Sequence, residues 1–302
     1  MRFKINADDY GLTKGITDKI LDCIDNGKLN SISLIPNGMA FDYAVAELKR
    51  RPGISMNIHI NLVEGRALSD PEEIPCLARK DGFFYHSFFS LLMTELCAGN
   101  SKKAQLKKQL AVECNAQISR VFKAFDYDIN PGLDSHMHFH MIPSVFDVLN
   151  EIACKKRMPV RLPLEPFFIC MKCFNDIRNY LGANIVKHGL LKLLSIYNRR
   201  KAERAGCIAF DNFIGVLFTG RITLPSIIQA LKKIPDNGIV EILFHPGYGN
   251  PGEEAWLREN TRFTDFYFSF YRKQEHQILK SMELKEIINK YERENYEIIH
   301  YS

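Results

Sequence analysis

The 302-residue chain is 46% hydrophobic and 25% charged, a composition that excludes a disordered or fibrous protein and is long enough for one large core or two modest ones. Its 40 basic and 35 acidic side chains leave a formal charge of +5, spread along the chain in a way that argues for a mild preference for anionic surfaces and against a nucleic-acid site. No apolar run reaches the ~18–20 residues of a membrane span, and Met1-Arg2 leads straight into a strand-like segment, so a cytoplasmic protein without a transmembrane segment is expected.

The first strand, expected at 3–6, opens into Asn6-Ala7-Asp8-Asp9-Tyr10-Gly11. Adjacent carboxylates repel, so a metal ion, a proton or a cation must make the pair tolerable. The plain alternative is that Asp8 or Asp9 caps the helix expected at 13–26. Further short apolar runs at 31–35, 55–59, 132–134, 160–162, 206–209, 215–217 and 239–244 read as strands. Between them the helical period recurs at 41–50, 101–125, 143–156, 185–204, 224–233 and 272–289. This alternation predicts a parallel sheet in a single α/β domain, with a barrel as one arrangement. The eight cysteines (Cys23, Cys76, Cys97, Cys114, Cys154, Cys170, Cys173, Cys207) fall in apolar stretches and are expected as buried thiols. Cys170-Met171-Lys172-Cys173 has zinc or redox spacing, but no second pair accompanies it.

Parallel α/β folds place their chemistry at the carboxyl ends of the strands. Asp8 and Asp9 follow the first strand, His59 closes the third, Asp134-Ser135-His136-Met137-His138-Phe139-His140 follows the fourth, Arg161 lies in the fifth, and His245 follows 239–244. Imidazole and carboxylate suit zinc and similar divalent ions; the plain reading of any single histidine here is a hydrogen-bonded packing group. His136, His138 and His140 alternate, so a strand sends all three to one face and a turn separates them. Arg161 has apolar neighbours, so it is expected to pair with a carboxylate of the site. His245, at an abrupt Pro-Gly stop, is either a site residue or an ordinary turn histidine.

Four segments in order carry a resemblance: Asn6-Ala7-Asp8-Asp9-Tyr10-Gly11-Leu12-Thr13-Lys14-Gly15, Asn57-Ile58-His59-Ile60-Asn61-Leu62-Val63-Glu64-Gly65, the run from Asp134 to His140, and Phe244-His245-Pro246-Gly247-Tyr248. Together they resemble the YdjC-type carbohydrate deacetylases, which include chitooligosaccharide deacetylases and are similar in design to the NodB-type polysaccharide deacetylases. Arg272, Glu275 and Leu279 resemble that family's carboxyl-terminal helix signature. The resemblance implies a distorted (β/α) TIM-like barrel, a single domain over 1–302 with a helical excursion at about 167–207. It implies a divalent metal, Mg or Zn, held by Asp9, His59 and His136, with Asp8 as general base, Arg161 orienting it and His245 as general acid. His138, His140, Asn61 and Tyr248 would contact substrate or support the ligands. The implied reaction removes the acetyl group of an N-acetylated sugar or oligosaccharide and releases acetate. The alternatives are metal-dependent hydrolysis of an O-acetyl ester or phosphoester, and an inactive sugar-binding relative.

In the excursion, Ile185, Leu190, Leu191, Leu193, Leu194 and Ile196 lie beside Arg199, Arg200 and Lys201. They predict a helix packed on the barrel or on a second copy in a homodimer, with peripheral lipid contact as the other reading. The cluster Phe263, Phe266, Tyr267, Phe268, Phe270 and Tyr271 is expected in the core, with stacking on sugar rings as the alternative.

Overall fold

A computed structural model describes residues 1–171, 178–206, 209–210, 212–235 and 238–292. Among the described residues, eight strands form one parallel sheet: β1 (Arg2–Tyr10), β2 (Ser31–Leu34), β3 (Ser55–Ile60), β4 (Gly132–Ser135), β5 (Val160–Arg161), β6 (Ala209–Phe210), β7 (Phe213–Ile214) and β8 (Ile239–Phe244). Their order is β6-β5-β4-β3-β2-β1-β8-β7. β6 lies on β5 while β7, which follows it closely in the chain, lies on β8. The sheet therefore curls so that both its ends meet the same stretch of chain, giving the distorted α/β barrel that was expected.

Around it lie α1 (Lys14–Asn26), α2 (Phe41–Lys49), α3 (Phe88–Cys97), α4 (Asn100–Ala124), α5 (Pro143–Lys156), α6 (Arg178–Leu181), α7 (Ala183–Arg204), α8 (Leu224–Leu231), α9 (Glu254–Asn260), α10 (Thr264–Tyr267), α11 (Phe270–Lys280) and α12 (Met282–Tyr291). The helix expected over 272–289 is two helices, because the Ser281 side chain accepts from Leu284 N–H and starts a new one. The strand expected at 215–217 ends before Gly215, whose φ of 134° is a conformation only glycine adopts without strain. α3 had no counterpart among the expected elements.

Strands buried on both faces read as apolar runs, but this barrel interior is polar. Lys4, Asn6, Ser31, Ser33, Asn57, Asp134, Arg161 and Glu241 are all buried. They are linked by hydrogen bonds: Lys4 Nζ to Asn57 at 2.8 Å, Ser31 Oγ to Asn6 at 2.7 Å, and Asn6 Nδ2 to Ser33 at 2.9 Å. A network of this kind, even with Glu241 Oε2 left without a hydrogen bond, fixes side-chain positions more firmly than apolar packing alone.

Among the described residues the expectation of thiols fails at Cys154, which is disulfide-bonded. Linear spacing carries no information about which cysteines meet in space. Cys23, Cys76, Cys97 and Cys114 are free thiols, with Cys97 exposed, and Cys170 is buried; Cys173 and Cys207 lie outside the described residues. No helix among the described residues is long and apolar enough to cross a membrane.

Candidate active site

The Asp8-Asp9 pair sits at a bulge. Ala7 faces Ile32 and Tyr10 faces Leu34, so β1 carries one residue more than β2 across that interval. Asp9 absorbs the excess with a left-handed φ of 69°. In a regular strand adjacent side chains point to opposite faces; here both carboxylates are buried at the mouth of the barrel. Neither caps α1, whose N-cap is Thr13, accepting from Ile16 N–H. The histidine run resolves as a turn as well. His136–Met141 forms a 3-10 turn with left-handed φ at Met137 (55°) and His138 (58°), so the three histidines separate. Non-glycine residues in that region cost of order 1–3 kcal/mol each and cluster at functional sites.

Asp9, His59 and His136 converge, each offering one ligand atom within 4.8 Å of the others. Asp9 Oδ1 and His59 Nε2 are buried without a hydrogen-bond partner. His136 Nδ1 lies 3.1 Å from Asp9 Oδ1, close but not aligned as a hydrogen bond. Each histidine is held from behind by a carboxylate, which can only accept. His59 Nδ1 donates to Asp134 Oδ1 at 2.6 Å, and His136 Nε2 donates to Glu64 Oε1 at 2.8 Å. Those bonds leave His59 Nε2 and His136 Nδ1 as the inward atoms, the arrangement that orients histidine ligands of metals. Two imidazoles and one carboxylate, two of their atoms orphaned, fit a divalent ion such as zinc. A second grouping, Asp8, His59 and Asp134, also comes together, but both oxygens of Asp134 are already committed to donors.

Charge follows this geometry. Burial opposes ionisation of Asp9, yet the Arg272 guanidinium, 2.6 Å from Oδ2, and His136 hold it well below the usual carboxylate range. Burial likewise opposes the His136 cation, but Asp9 and Glu64 raise it to about 10. The point between these carboxylates thus demands positive charge. Tyr267, fully buried, also donates to Glu64.

Asp8 is gripped by both terminal nitrogens of Arg161, at 3.1 and 3.0 Å, and by Asn6 Nδ2 at 2.9 Å. Arg161 also reaches Glu241 at 2.6 Å and Asp134 at 2.7 Å, so its expected carboxylate partner is three partners. His245 is buried with Nδ1 unpartnered, and its backbone N–H donates to Glu275. Burial, with Arg272 nearby, pulls the ring down to about 3, so it stands neutral at neutral pH. His138 is buried, faces Phe213, and is held neutral by burial. His140 is committed to the frame, paired with Ser135 Oγ at 2.7 Å and with the Arg161 carbonyl at 3.1 Å. Asn61 shapes the loop carrying Glu64, accepting from Val63 and Glu64 N–H and donating to the Glu64 carbonyl. Tyr248 is not brought to the cavity; its ring packs on His276 beneath Lys19 and Lys273.

A cavity of about 850 Å³ opens over these groups, with Asp8, His136, His138 and His245 in its wall. Phe263, Phe266 and Tyr271 line it while Tyr267 is buried beneath and Phe270 is exposed, so the aromatic cluster divides among cavity, core and surface. The excursion contributes Lys187, Leu190 and Leu191 of α7. Burial lowers the Lys187 ammonium to about 8 against the pull of Asp8 and Glu165. The other face of α7 packs on the histidine turn, where Asn198 Nδ2 donates to the Met141 carbonyl at 2.9 Å. Glu64, Asp134, Glu241 and Lys187 had no assigned role on sequence grounds, and Tyr267 was expected only as core or as a sugar-stacking ring. Glu64 and Asp134 lie inside the quoted motifs, but nothing in their spacing distinguishes a residue that grips a ligand from one that packs beside it.

Fold and mouth together define an α/β barrel protein with a candidate divalent-metal centre. The chain belongs to the YdjC-like protein family, whose profile matches residues 2–290. It is 27% identical over 246 residues to a carbohydrate deacetylase of Thermoanaerobacter pseudethanolicus, covering 81% of this chain and 80% of that one. It is 25% identical over 289 residues to a carbohydrate deacetylase of Brevibacillus brevis, covering 96% and 95%. A chitooligosaccharide deacetylase of Escherichia fergusonii is 25% identical over 185 residues, covering 61% and 68%. Among solved structures, an Enterococcus faecalis V583 protein with a provisional cellobiose-phosphate cleavage assignment matches with a TM-score of 0.69 at 20% identity, covering 96% of this chain and 94% of that one; the likeness is one of fold.

Proposed function

We propose that this chain is a metal-dependent carbohydrate deacetylase that hydrolyses the acetamide of an N-acetylated sugar and releases acetate. The observation that carries the reading is the convergence of the orphaned Asp9 Oδ1 and His59 Nε2 with His136, each imidazole backed by a carboxylate. Asp9 Oδ1, His59 Nε2 and His136 Nδ1 would hold the ion. A divalent metal bound there supplies Lewis-acid polarisation of the carbonyl and acidification of water.

The remaining work falls to side chains already in place. Asp8, on the cavity wall and fixed by the Arg161 fork, accepts a proton from the attacking water. Its second task is to stay oriented, and Asn6 and Arg161 remove its rotational freedom before substrate arrives. His245, also on the cavity wall, delivers a proton to the departing nitrogen. Because its ring starts neutral, the proton it delivers is the one Asp8 takes from the water, passed on as negative charge developing on the substrate raises the proton affinity of the ring. The aromatic rings of Phe263, Phe266 and Tyr271 offer faces for sugar rings. The test is acetate release from N-acetylated mono-, di- and oligosaccharides by metal-loaded and chelator-stripped protein. Release from none of them, or equal release after chelation, refutes the proposal.

A further inference from the structure

We propose that the face bearing the cavity mouth docks on an anionic lipid bilayer. Two helices contribute to that mouth, α3 through Phe88 and Phe89 and α7 through Leu190 and Leu191. Each buries one face: Leu91 and Leu92 of α3, and Leu191, Ser195 and Asn198 of α7, are covered. Each also exposes a second row of large apolar side chains at helical spacing. Phe89, Met93 and Leu96 are 56%, 54% and 60% exposed, and Val186, Leu193 and Tyr197 are 61%, 69% and 52% exposed. Of the sixteen exposed large hydrophobics among the described residues, eleven fall within 89–96 and 167–197. Concentration of apolar surface around one opening marks an interaction face, whereas scattered single residues need no explanation.

Charge selects the occupant. Lys102 and Lys103 follow α3 with no acidic residue between, and α7 sets Lys192 and Arg200 beside its apolar row, while Arg199 pairs with Glu203 and Lys107 with Asp147. Apolar side chains edged by cations match the boundary of an anionic membrane, where each cation near the surface adds to binding. A symmetric contact with a second copy would instead gather the cations of both copies, Lys192 and Arg200 among them, into one interface. Docked this way, the cavity opens to the headgroup layer, and a sugar carried on a lipid would reach Asp8 and His245 without leaving the membrane surface. The choice of sugar rests on the deacetylase reading; the docking stands without it.

Flotation of the full chain with phosphatidylcholine vesicles, and with vesicles also containing phosphatidylglycerol, tests the proposal. The expected result is recovery with the anionic vesicles, reduced by high salt, and about tenfold weaker binding for Met93→Glu with Leu193→Glu. Both residues are exposed and neither lines the cavity, so the circular dichroism spectrum of the variant stays that of the parent. Arg200→Glu should weaken binding to anionic vesicles only. Absence of binding at low salt overturns the proposal, and so does undiminished binding by the double variant. A vesicle-free dimer, seen by light scattering and abolished by the same substitutions, also overturns it, because a second copy then covers this face.

Discussion

Replacing Asp134 with asparagine exchanges one oxygen for NH2 and tests how His59 is poised. Asp134 Oδ1 accepts from His59 Nδ1 at 2.6 Å, while Oδ2 accepts from Ser33 at 2.6 Å and Asn57 at 2.8 Å and lies 2.7 Å from an Arg161 nitrogen. An amide cannot serve both sides. With its oxygen toward His59, its NH2 meets three donors; turned over, it keeps the three contacts and points N–H at His59 Nδ1. The second arrangement loses less, since one of the kept contacts is to a guanidinium. His59 must then carry its proton on Nε2, the atom facing Asp9 and His136, and a protonated nitrogen cannot ligate. The expected loss is ~10–100-fold in metal affinity, or about 1.4–2.7 kcal/mol. The fold survives at a cost of about 1–3 kcal/mol, because Asp8 and Glu241 remain to balance Arg161 and Lys4. Calorimetric titration of stripped protein with zinc reads the affinity, and imidazole 15N shifts read the tautomer. A folded Asp134→Asn variant with wild-type affinity, or with His59 still protonated on Nδ1, would refute the reasoning.

Asp8→Asn is expected to leave metal content unchanged while lowering turnover by roughly 10²-fold or more; near-normal acetate release would remove Asp8 from the base role. Arg272→Met strips Asp9, 1% exposed, of its 2.6 Å partner, and should destabilise the protein by about 3–5 kcal/mol in urea unfolding; a loss under about 1 kcal/mol would show that Arg272 is not the counter-charge. The buried histidines set acid sensitivity. Burial lowers His140 and His245 to about 3, below the unfolded value of about 6.5, so below that pH the unfolded state binds protons that the folded state does not. Stability from these groups is complete above about pH 6.5 and falls toward pH 3, by up to about 1.4 kcal/mol per unit for each. Glu165 and Glu275, raised to about 7 by burial, act in the opposite sense between about 4.5 and 7, so the clean comparison is a single substitution. His140→Gln should flatten the decline of Tm between about pH 6.5 and 4; an unchanged slope would mean that His140 does not titrate on unfolding there.

The strand and helix alternation was legible because parallel strands covered on both sides must be apolar runs, and a run of that kind needs no partner to be recognised. The polar interior was not. Lys4, Asn6, Asn57 and Glu241 interrupt those runs singly, and only the curling of the sheet reveals that they face one another. Arg272 and Tyr267 reach the site from 263 and 203 residues away in sequence, bonded to Asp9 and Glu64; spacing rules have no purchase at that range. The alternation of the histidines pointed equally to a strand and to a turn, and the left-handed residues Met137 and His138 decide for the turn. The carboxylate pair shows most clearly what sequence leaves open. Adjacency alone demanded a compensating charge, and the fold supplies two before any metal binds: Arg161 on Asp8 and Arg272 on Asp9. Three of the four carboxylate oxygens are thereby occupied, and Asp9 Oδ1 is the one left buried and unpartnered. The division into a ligand and a base follows from that remainder. It depends on the extra residue in β1, because without the bulge one of the two side chains would face away from the mouth.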